Sequence, residues 1–239
     1  MTCSIHQAVP ADFPVPGKYA GVDLPVIGQL HLWRAEEPAD LLDDPRYIEQ
    51  FDQCNELMPY WADLWPSSLA LAQYLIDNRQ TIVKTSQALE LGAGLGLAGL
   101  TLAKLGVPVV LTDTAEDARE ILRIHLRENG LHSQDKNRVM ALDFFNPGMC
   151  SSPGPDLIIG ADILFEERNC GAVAATLSRL LGRTGRALIA DPFRKTAEIF
   201  SGCLERNGLQ VTETILEPPA RKPKPTAGVR LFTVCRDCF

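Results

Sequence analysis

Long apolar runs are missing: no stretch of the 239 residues approaches the roughly 18–20 consecutive apolar positions of a membrane span, so no membrane passage is expected. Positive charge is also scarce. With 23 Lys and Arg against 30 Asp and Glu, the chain carries a net charge of −7, which argues against nucleic acid as its main partner because phosphate backbones attract basic surfaces. A basic protein segment or a neutral small molecule suits that surface better. The seven cysteines are scattered, odd in number and not spaced as a disulfide framework, which points to a reducing compartment. Cys235-x-x-Cys238 is a lone pair without two further ligands nearby; it reads as a strand end with two thiols, and no metal site is expected. The N-terminus lacks a charged-then-apolar signal pattern and the arginines of a transit peptide. A cytoplasmic, monomeric protein is the expectation.

What remains is enough for one large α/β domain, with 46% hydrophobic residues and a length that supports a full core. Residues 1–57 read as an N-terminal extension and 58–239 as the main domain. That domain centres on Ala88-Leu89-Glu90-Leu91-Gly92-Ala93-Gly94-Leu95-Gly96-Leu97-Ala98-Gly99. An apolar run meets an acid, and alternate glycines lead into Leu97, Leu100, Leu102 and Leu105, which spells strand, tight turn and helix. Glycines are needed where a ligand must lie against bare backbone, and the helix start adds unpaired N–H groups.

Gly94-x-Gly96-x-x-Gly99 also satisfies the dinucleotide fingerprint, a weak signal alone. The carboxylate of Glu90 decides between ligands, because it attracts the ammonium of an amino-acid-like group and repels a pyrophosphate. Val109-Val110-Leu111-Thr112-Asp113 is a second apolar strand ending in an acid about twenty residues on, suited to grip both hydroxyls of a ribose. A positively charged donor bearing a ribose fits both acids.

Here the sequence resembles the seven-β-strand, class I S-adenosylmethionine-dependent methyltransferases. Glu90-x-Gly92-x-Gly94-x-Gly96 is similar to their first motif and Asp113 to their ribose-binding acid. Pro59-Tyr60-Trp61-Ala62-Asp63-Leu64-Trp65-Pro66 and Asp162-Ile163-Leu164-Phe165 narrow the resemblance to the protein-lysine methyltransferase branch, which includes the enzyme acting on the electron-transfer flavoprotein β-subunit. It covers roughly Tyr60 to the C-terminus and implies S-adenosyl-L-methionine as cofactor. It also implies that the aromatic segment crosses the donor pocket; Trp65 is assigned to the cofactor, and Trp61 to the substrate with a cofactor contact as its other reading. Thr114, beside Asp113, and Ala161, beside Asp162, are counted among the donor contacts.

In chain order, residues 1–20 read as a loose tail and Val22 to Trp33 as a β-hairpin. Glu36 to Glu56 holds eight acids against one base; this is either a solvated helical face or an electrostatic guide for a basic substrate. Thr114 is placed to cap a helix carrying Ala118, Ile121, Leu122 and Leu126, on which His125 reads as a surface or boundary residue. Val139–Leu142 is a third strand. Asp143 and Phe144 follow it, and the resemblance gives them the adenine amino group and ring face; a helix cap beside a core Phe is the alternative. Asp156–Asp162 and Ala187–Asp191 are strands four and five, each followed by a helix, and Leu209–Ile215 and Val229–Val234 are two strands that pair antiparallel. Their connection, 217–228, has four prolines and three bases, a solvated loop or a lid. The expected fold is α/β: a doubly wound, Rossmann-like seven-stranded sheet, mostly parallel, built from five strand–helix repeats and a C-terminal antiparallel pair, behind a hairpin and acidic helix.

The expected chemistry is N-methylation of a lysine on a protein. Asp162, at a strand end, is assigned to orient the incoming ammonium and Phe165 to wall its slot, where the resembled branch usually has Tyr. Asp191 and Arg194 are placed to touch substrate or to form a local ion pair. A small-amine or ring-nitrogen methyltransferase, a non-catalytic cofactor-binding partner and an NAD oxidoreductase are the competing readings.

Overall fold

The structure is a computed structural model that describes residues 17–37, 41, 44–45, 47–48, 59–132, 136–148, 154–217 and 228–236. The tail before Gly17, most of the acidic segment and the middle of the proline loop lie outside them. A hairpin opens the chain, β1 (Gly17–Leu24) against β2 (Gly28–Ala35), so strand structure begins earlier than the expected tail allows. After a 3-10 turn over Pro59–Ala62 comes α1 (Pro66–Asp77), followed by one turn of helix, α2 (Arg79–Ile82).

The alternation then proceeds as β3 (Ala88–Leu91), α3 (Leu97–Lys104), β4 (Val109–Asp113), α4 (Glu116–Glu128) and β5 (Arg138–Ala141). It continues as β6 (Leu157–Ala161), α5 (Glu167–Leu180), β7 (Arg186–Asp191) and α6 (Phe200–Arg206), and ends with β8 (Gln210–Leu216) and β9 (Val229–Cys235).

The seven strands after the hairpin form one sheet in the order β5-β4-β3-β6-β7-β9-β8. The first five run parallel; β9 enters antiparallel between β7 and β8. Alternate residues of one strand supply both cores. Leu157 and Ile159 of β6 join α1 and α3 on one face, whereas Ile158 joins α5 and α6 on the other, as expected for a strand covered on both sides. Leu30 and Leu32 of the hairpin belong to the first of these cores, so the hairpin is built into the main domain.

Four expectations need correction. No helix lies between β5 and β6 among the described residues; Asp143 instead turns the chain by accepting Phe145 N–H at 2.8 Å. The residue flanking α4 is Ala115, without a side-chain cap, so Thr114 lies one position too early to cap the helix; Asp113 Oδ1 accepts Ala115 N–H at 3.0 Å. His125 is fully buried rather than at a boundary. Cys235 is disulfide-bonded, so it is not a free thiol. Among the described residues no helix is long and apolar enough to cross a membrane, and no group of three or more His, Cys, Asp or Glu is placed to hold a metal.

Candidate functional site

One cavity of about 340 Å³ opens at the carboxyl ends of the parallel strands, at the place where such sheets collect ligands. Every candidate site residue singled out from the sequence lines it except Asp191, which is fully buried behind Arg194. Tyr60, Leu64, Ser68, Leu95, Ala115, Ile163 and Glu166 also line it without having been singled out. Tyr60 carried a signal, since it sits in the same aromatic segment as Trp61 and Trp65.

The floor is the turn between β3 and α3. Gly96 holds φ +77° as the residue flanking the helix, a backbone that glycine adopts without a Cβ penalty. Gly99 is required for a different reason: a Cβ there would collide with Leu111 and with the Glu90 carboxylate. That close approach lets Glu90 Oε2 accept Gly99 N–H at 3.1 Å, so Glu90 satisfies one of the free N–H groups of the helix start. Glu90 is 2% exposed and still borders the cavity. Burial pushes its pKa up to about 8, against the pull of the Gly99 N–H and with the Asp113 charge adding to the rise.

Asp113, at the end of β4, accepts Gly94 N–H at 2.9 Å through Oδ2. Its pKa is also raised, chiefly by burial, against the Gly94 and Ala115 N–H groups and Arg119. Two acids therefore flank the glycine turn in a poorly solvated cleft, where a cation gains most. Among the described residues, Arg194 is the one Lys or Arg bordering the cavity. A pyrophosphate on these glycines would meet carboxylates and no base.

The ledge over the floor comes from the segment before α1. Trp61 and Ala62 pack with Leu95 and Ile121 in a third core cluster, and a Cβ on Gly94 would come within 3.3 Å of Trp61 O. Trp61 Nε1 is buried without a hydrogen-bond partner among the described residues. An unmet donor on a cavity-lining residue calls for a ligand acceptor, and an amino-acid carboxylate is one. The buried acid, the orphaned indole N–H and the acid at the end of β4 together fit the amino-acid and ribose parts of S-adenosylmethionine. On the far side Asp143 is exposed and Phe144 half-buried, both facing the same cavity.

At the mouth, Tyr60 lies 5.5 Å from Phe165 and 6.3 Å from Trp65, ring centre to ring centre. The indole of Trp65 is fixed by donating to Tyr60 O at 2.8 Å. Asp162 follows β6 with φ +61°, and Phe193 follows β7 with φ +62°, left-handed backbone that side chains other than glycine adopt at a cost. Asp162 Oδ2 accepts Ser67 N–H at 3.0 Å, which caps α1 from across the sheet, and Oδ1 is ion-paired with Arg194. Asp191 Oδ1 accepts Arg194 N–H at 2.7 Å. Its Oδ2 has no hydrogen-bond partner among the described residues and lies 3.7 Å from Arg194 Nη1. Burial raises the Asp191 pKa, and the Asp162 charge adds to it, against Arg194 and Arg230. Of the two readings of Asp191 and Arg194, the local ion pair is present, and only Arg194 reaches the cavity.

Behind the floor, His125 ties three elements together. Its Nε2 accepts Trp33 N–H from the hairpin at 2.8 Å, and its Nδ1 lies 2.9 Å from Leu95 O in the glycine turn. That pattern requires the neutral ring with its hydrogen on Nδ1. Burial pushes the His125 pKa down to about 4, although both hydrogen bonds oppose the shift.

The known proteins similar to this chain are methyltransferases acting on lysine or arginine, or sharing the fold alone. The sequence profile of a family described as lysine methyltransferase matches residues 59–202. The chain is 31% identical over 170 residues to the protein-lysine N-methyltransferase EFM3 of Chaetomium thermophilum, covering 66% of this chain and 50% of that one. It is 34% identical over 135 residues to the mouse protein N-lysine methyltransferase METTL21A, covering 56% and 61%, and 29% identical over 135 residues to the Xenopus laevis histone-arginine methyltransferase METTL23, covering 54% and 55%. The chain thus spans about half to three-fifths of these relatives' length. Among solved structures, magnesium protoporphyrin IX methyltransferase from Synechocystis, with bound S-adenosylhomocysteine, aligns with TM-score 0.55 at 14% identity, over 81% of this chain and all of that one. A TehB-like S-adenosylmethionine-dependent methyltransferase from Corynebacterium glutamicum aligns with TM-score 0.54 at 21% identity, over the same shares. At those identities the likeness shows the Rossmann-like methyltransferase fold.

Proposed function

Since the chain belongs to the lysine methyltransferase family, we propose that it transfers a methyl group from S-adenosylmethionine to the side-chain nitrogen of a lysine in a protein. The observation that carries this is the cavity itself, with one acid on each side of a glycine turn and an aromatic mouth opposite. When bound, S-adenosylmethionine supplies an electrophilic methyl on a sulfonium. Glu90 takes the ammonium of the donor and Asp113 the ribose hydroxyls. Asp143 and Phe144 hold the adenine, and Thr114 and Ala161 border it.

Alignment and exclusion of water are what the transfer asks of the protein. Tyr60, Trp65 and Phe165 supply a slot for the alkyl stem of a lysine. Phe165 lacks the phenol usual at that place in the resembled branch, and Tyr60 brings one to its side. Asp162 stands at the acceptor end of the slot. A lysine with pKa near 10.4 exposes its lone pair at pH 7 at a cost of about 4–5 kcal/mol, and its proton leaves to water.

Two experiments test the reading. Calorimetric titration of the full chain with S-adenosylhomocysteine and with NAD should give binding of the first alone; failure of S-adenosylhomocysteine to bind would refute the proposal. Incubation with labelled donor and a lysate, followed by hydrolysis and amino-acid analysis, should yield methyl-lysine. Methyl-arginine would move the acceptor to a guanidinium, and label confined to small amines would replace the protein substrate.

A further inference from the structure

We infer that Arg194 is a positioning residue that keeps the carboxylate of Asp162 neutralised, so that the acceptor nitrogen enters the slot as a free amine rather than as an ammonium. The inference deepens the methyltransferase reading and rests on it. It starts from the state of the acids around the cavity. At the acceptor side Asp162 is ion-paired with Arg194, Glu166 with Arg168 at 2.6 Å, and Asp63 with Arg34 at 3.2 Å. Glu90, Asp113 and Asp143 accept backbone N–H groups around the glycine turn and after β5. Among the described residues, no acid lining the cavity is without a partner.

Arg194 is held from three directions. Its guanidinium contacts Asp162 after β6, lies 3.7 Å from Asp191 at the end of β7, and stands 5.5 Å from the ring centre of Trp65 at the start of α1. From β9, Arg230 covers the ring of Phe193 at 4.8 Å, lies 3.9 Å from Glu213 of β8 and adds positive charge near the same Asp191. Asp162 and Asp191 thus share Arg194, while Arg230 is divided between Asp191 and Glu213. The backbone is left-handed at Asp162 and at Phe193, the residue before Arg194. Such strain is kept where the surroundings over-determine it, commonly at working sites.

The chemical consequence concerns the acceptor. An amine can accept a methyl group only through its lone pair, and a bare carboxylate beside it would hold the proton on the nitrogen. With Arg194 in place, the Asp162 carboxylate already has a countercharge and attracts an ammonium less. Without Arg194 the same acid becomes an ammonium trap that binds substrate well and in the wrong protonation state.

The test uses n-butylamine as a lysine-tip probe, titrated into the full chain saturated with S-adenosylhomocysteine and followed by NMR at pH 6.5, 7.5 and 8.5. In the parent protein, affinity referred to total amine should rise about tenfold per pH unit, following the free-amine fraction below its pKa. In Arg194→Met the rise should vanish and affinity at pH 6.5 should increase at least fivefold; Arg194→Gln serves as a second probe of the same change. The double variant Asp162→Asn with Arg194→Met should restore the rise, which a merely structural role would not do. A parent affinity that is flat or falls with pH overturns the inference, as does an Arg194→Met chain that still binds S-adenosylhomocysteine and matches the parent. Loss of S-adenosylhomocysteine binding by the parent is a different failure and removes the methyltransferase reading instead.

Discussion

Replacing Glu90 by Gln should make the free protein more stable and its donor complex weaker. The carboxyl is 2% exposed and its pKa is raised to about 8 from 4.5. Between those values the folded chain keeps a proton that the unfolded chain has lost, so the contribution of this acid to stability is complete below pH 4.5 and is lost as pH rises through 8. At 1.36 kcal/mol per unit the loss is roughly 3 kcal/mol by pH 7 and up to about 5 by pH 8. Gln has no such dependence, and its carbonyl can still accept the Gly99 N–H. Leaving its amide N–H groups unmet costs about 1–3 kcal/mol. The net gain at pH 8 is therefore about 1–3 kcal/mol, or some 2–10 °C in Tm for a domain of this size. The ammonium of the donor, however, loses its countercharge, and S-adenosylhomocysteine should bind about 5- to 150-fold more weakly. Thermal melts from pH 5 to 9 and calorimetry at pH 7 read both effects. Binding to the parent should also release a proton from Glu90, making the heat depend on the buffer, and this dependence should disappear in the variant. A Glu90→Gln chain that melts below the parent at pH 8, or that binds S-adenosylhomocysteine equally well, refutes the reasoning.

Three further outcomes are expected. Asp113→Ala should weaken S-adenosylhomocysteine by about 1–3 kcal/mol through lost charge-assisted hydrogen bonds while the far-ultraviolet dichroism stays native; unchanged calorimetric affinity would remove the ribose role. His125 is buried neutral with its pKa lowered to about 4, so its contribution to stability is present above 6.5 and lost as pH falls toward 4, about 2 kcal/mol of it by pH 5. In urea melts at pH 7 and 5, His125→Gln should be less stable at pH 7 yet lose less on acidification, and equal slopes would contradict this. Tyr60→Phe should lower turnover on the methylated lysate protein several-fold with donor affinity intact, while Phe165→Tyr in that background should recover part of it; recovery of none would mean that the two phenols do not serve the same place.

Much of the fold was legible because the sheet strands are short apolar runs whose identity is local. Ile158 and Ile159 are both buried, on opposite faces, and a run such as Leu157-Ile158-Ile159 reads directly as a strand covered on both sides. The position of β9 was not legible, since pairing order depends on partners far along the chain and leaves no local trace. A helix between β5 and β6 follows from the repeat and not from residues of its own; among the described residues there is none, and Asp143 serves a turn. At the site, residue types sufficed where the partner lies within one motif, as for Glu90 and Gly99 nine positions apart.

The same limit explains why Asp162 and His125 were only half understood. Asp162 reads from the sequence as an acid at a strand end, aimed at a ligand. Its actual partners, Ser67 and Arg194, lie 95 and 32 residues away, and they change its chemistry from an open anion to one that already serves a helix start and a guanidinium. His125 reads as one polar residue on an amphipathic helix, yet Trp33, 92 residues before it, and Leu95, 30 before it, make it the neutral link between the hairpin and the donor turn. A buried polar side chain is determined by what meets it, and in a sheet of crossover connections those neighbours are distant in sequence. The hairpin is therefore no appendage to the site. The His125 ring hydrogen-bonds both β2 and the backbone under the donor, so its acid sensitivity should appear in cofactor affinity, read by calorimetry at pH 7 and 5, as well as in stability.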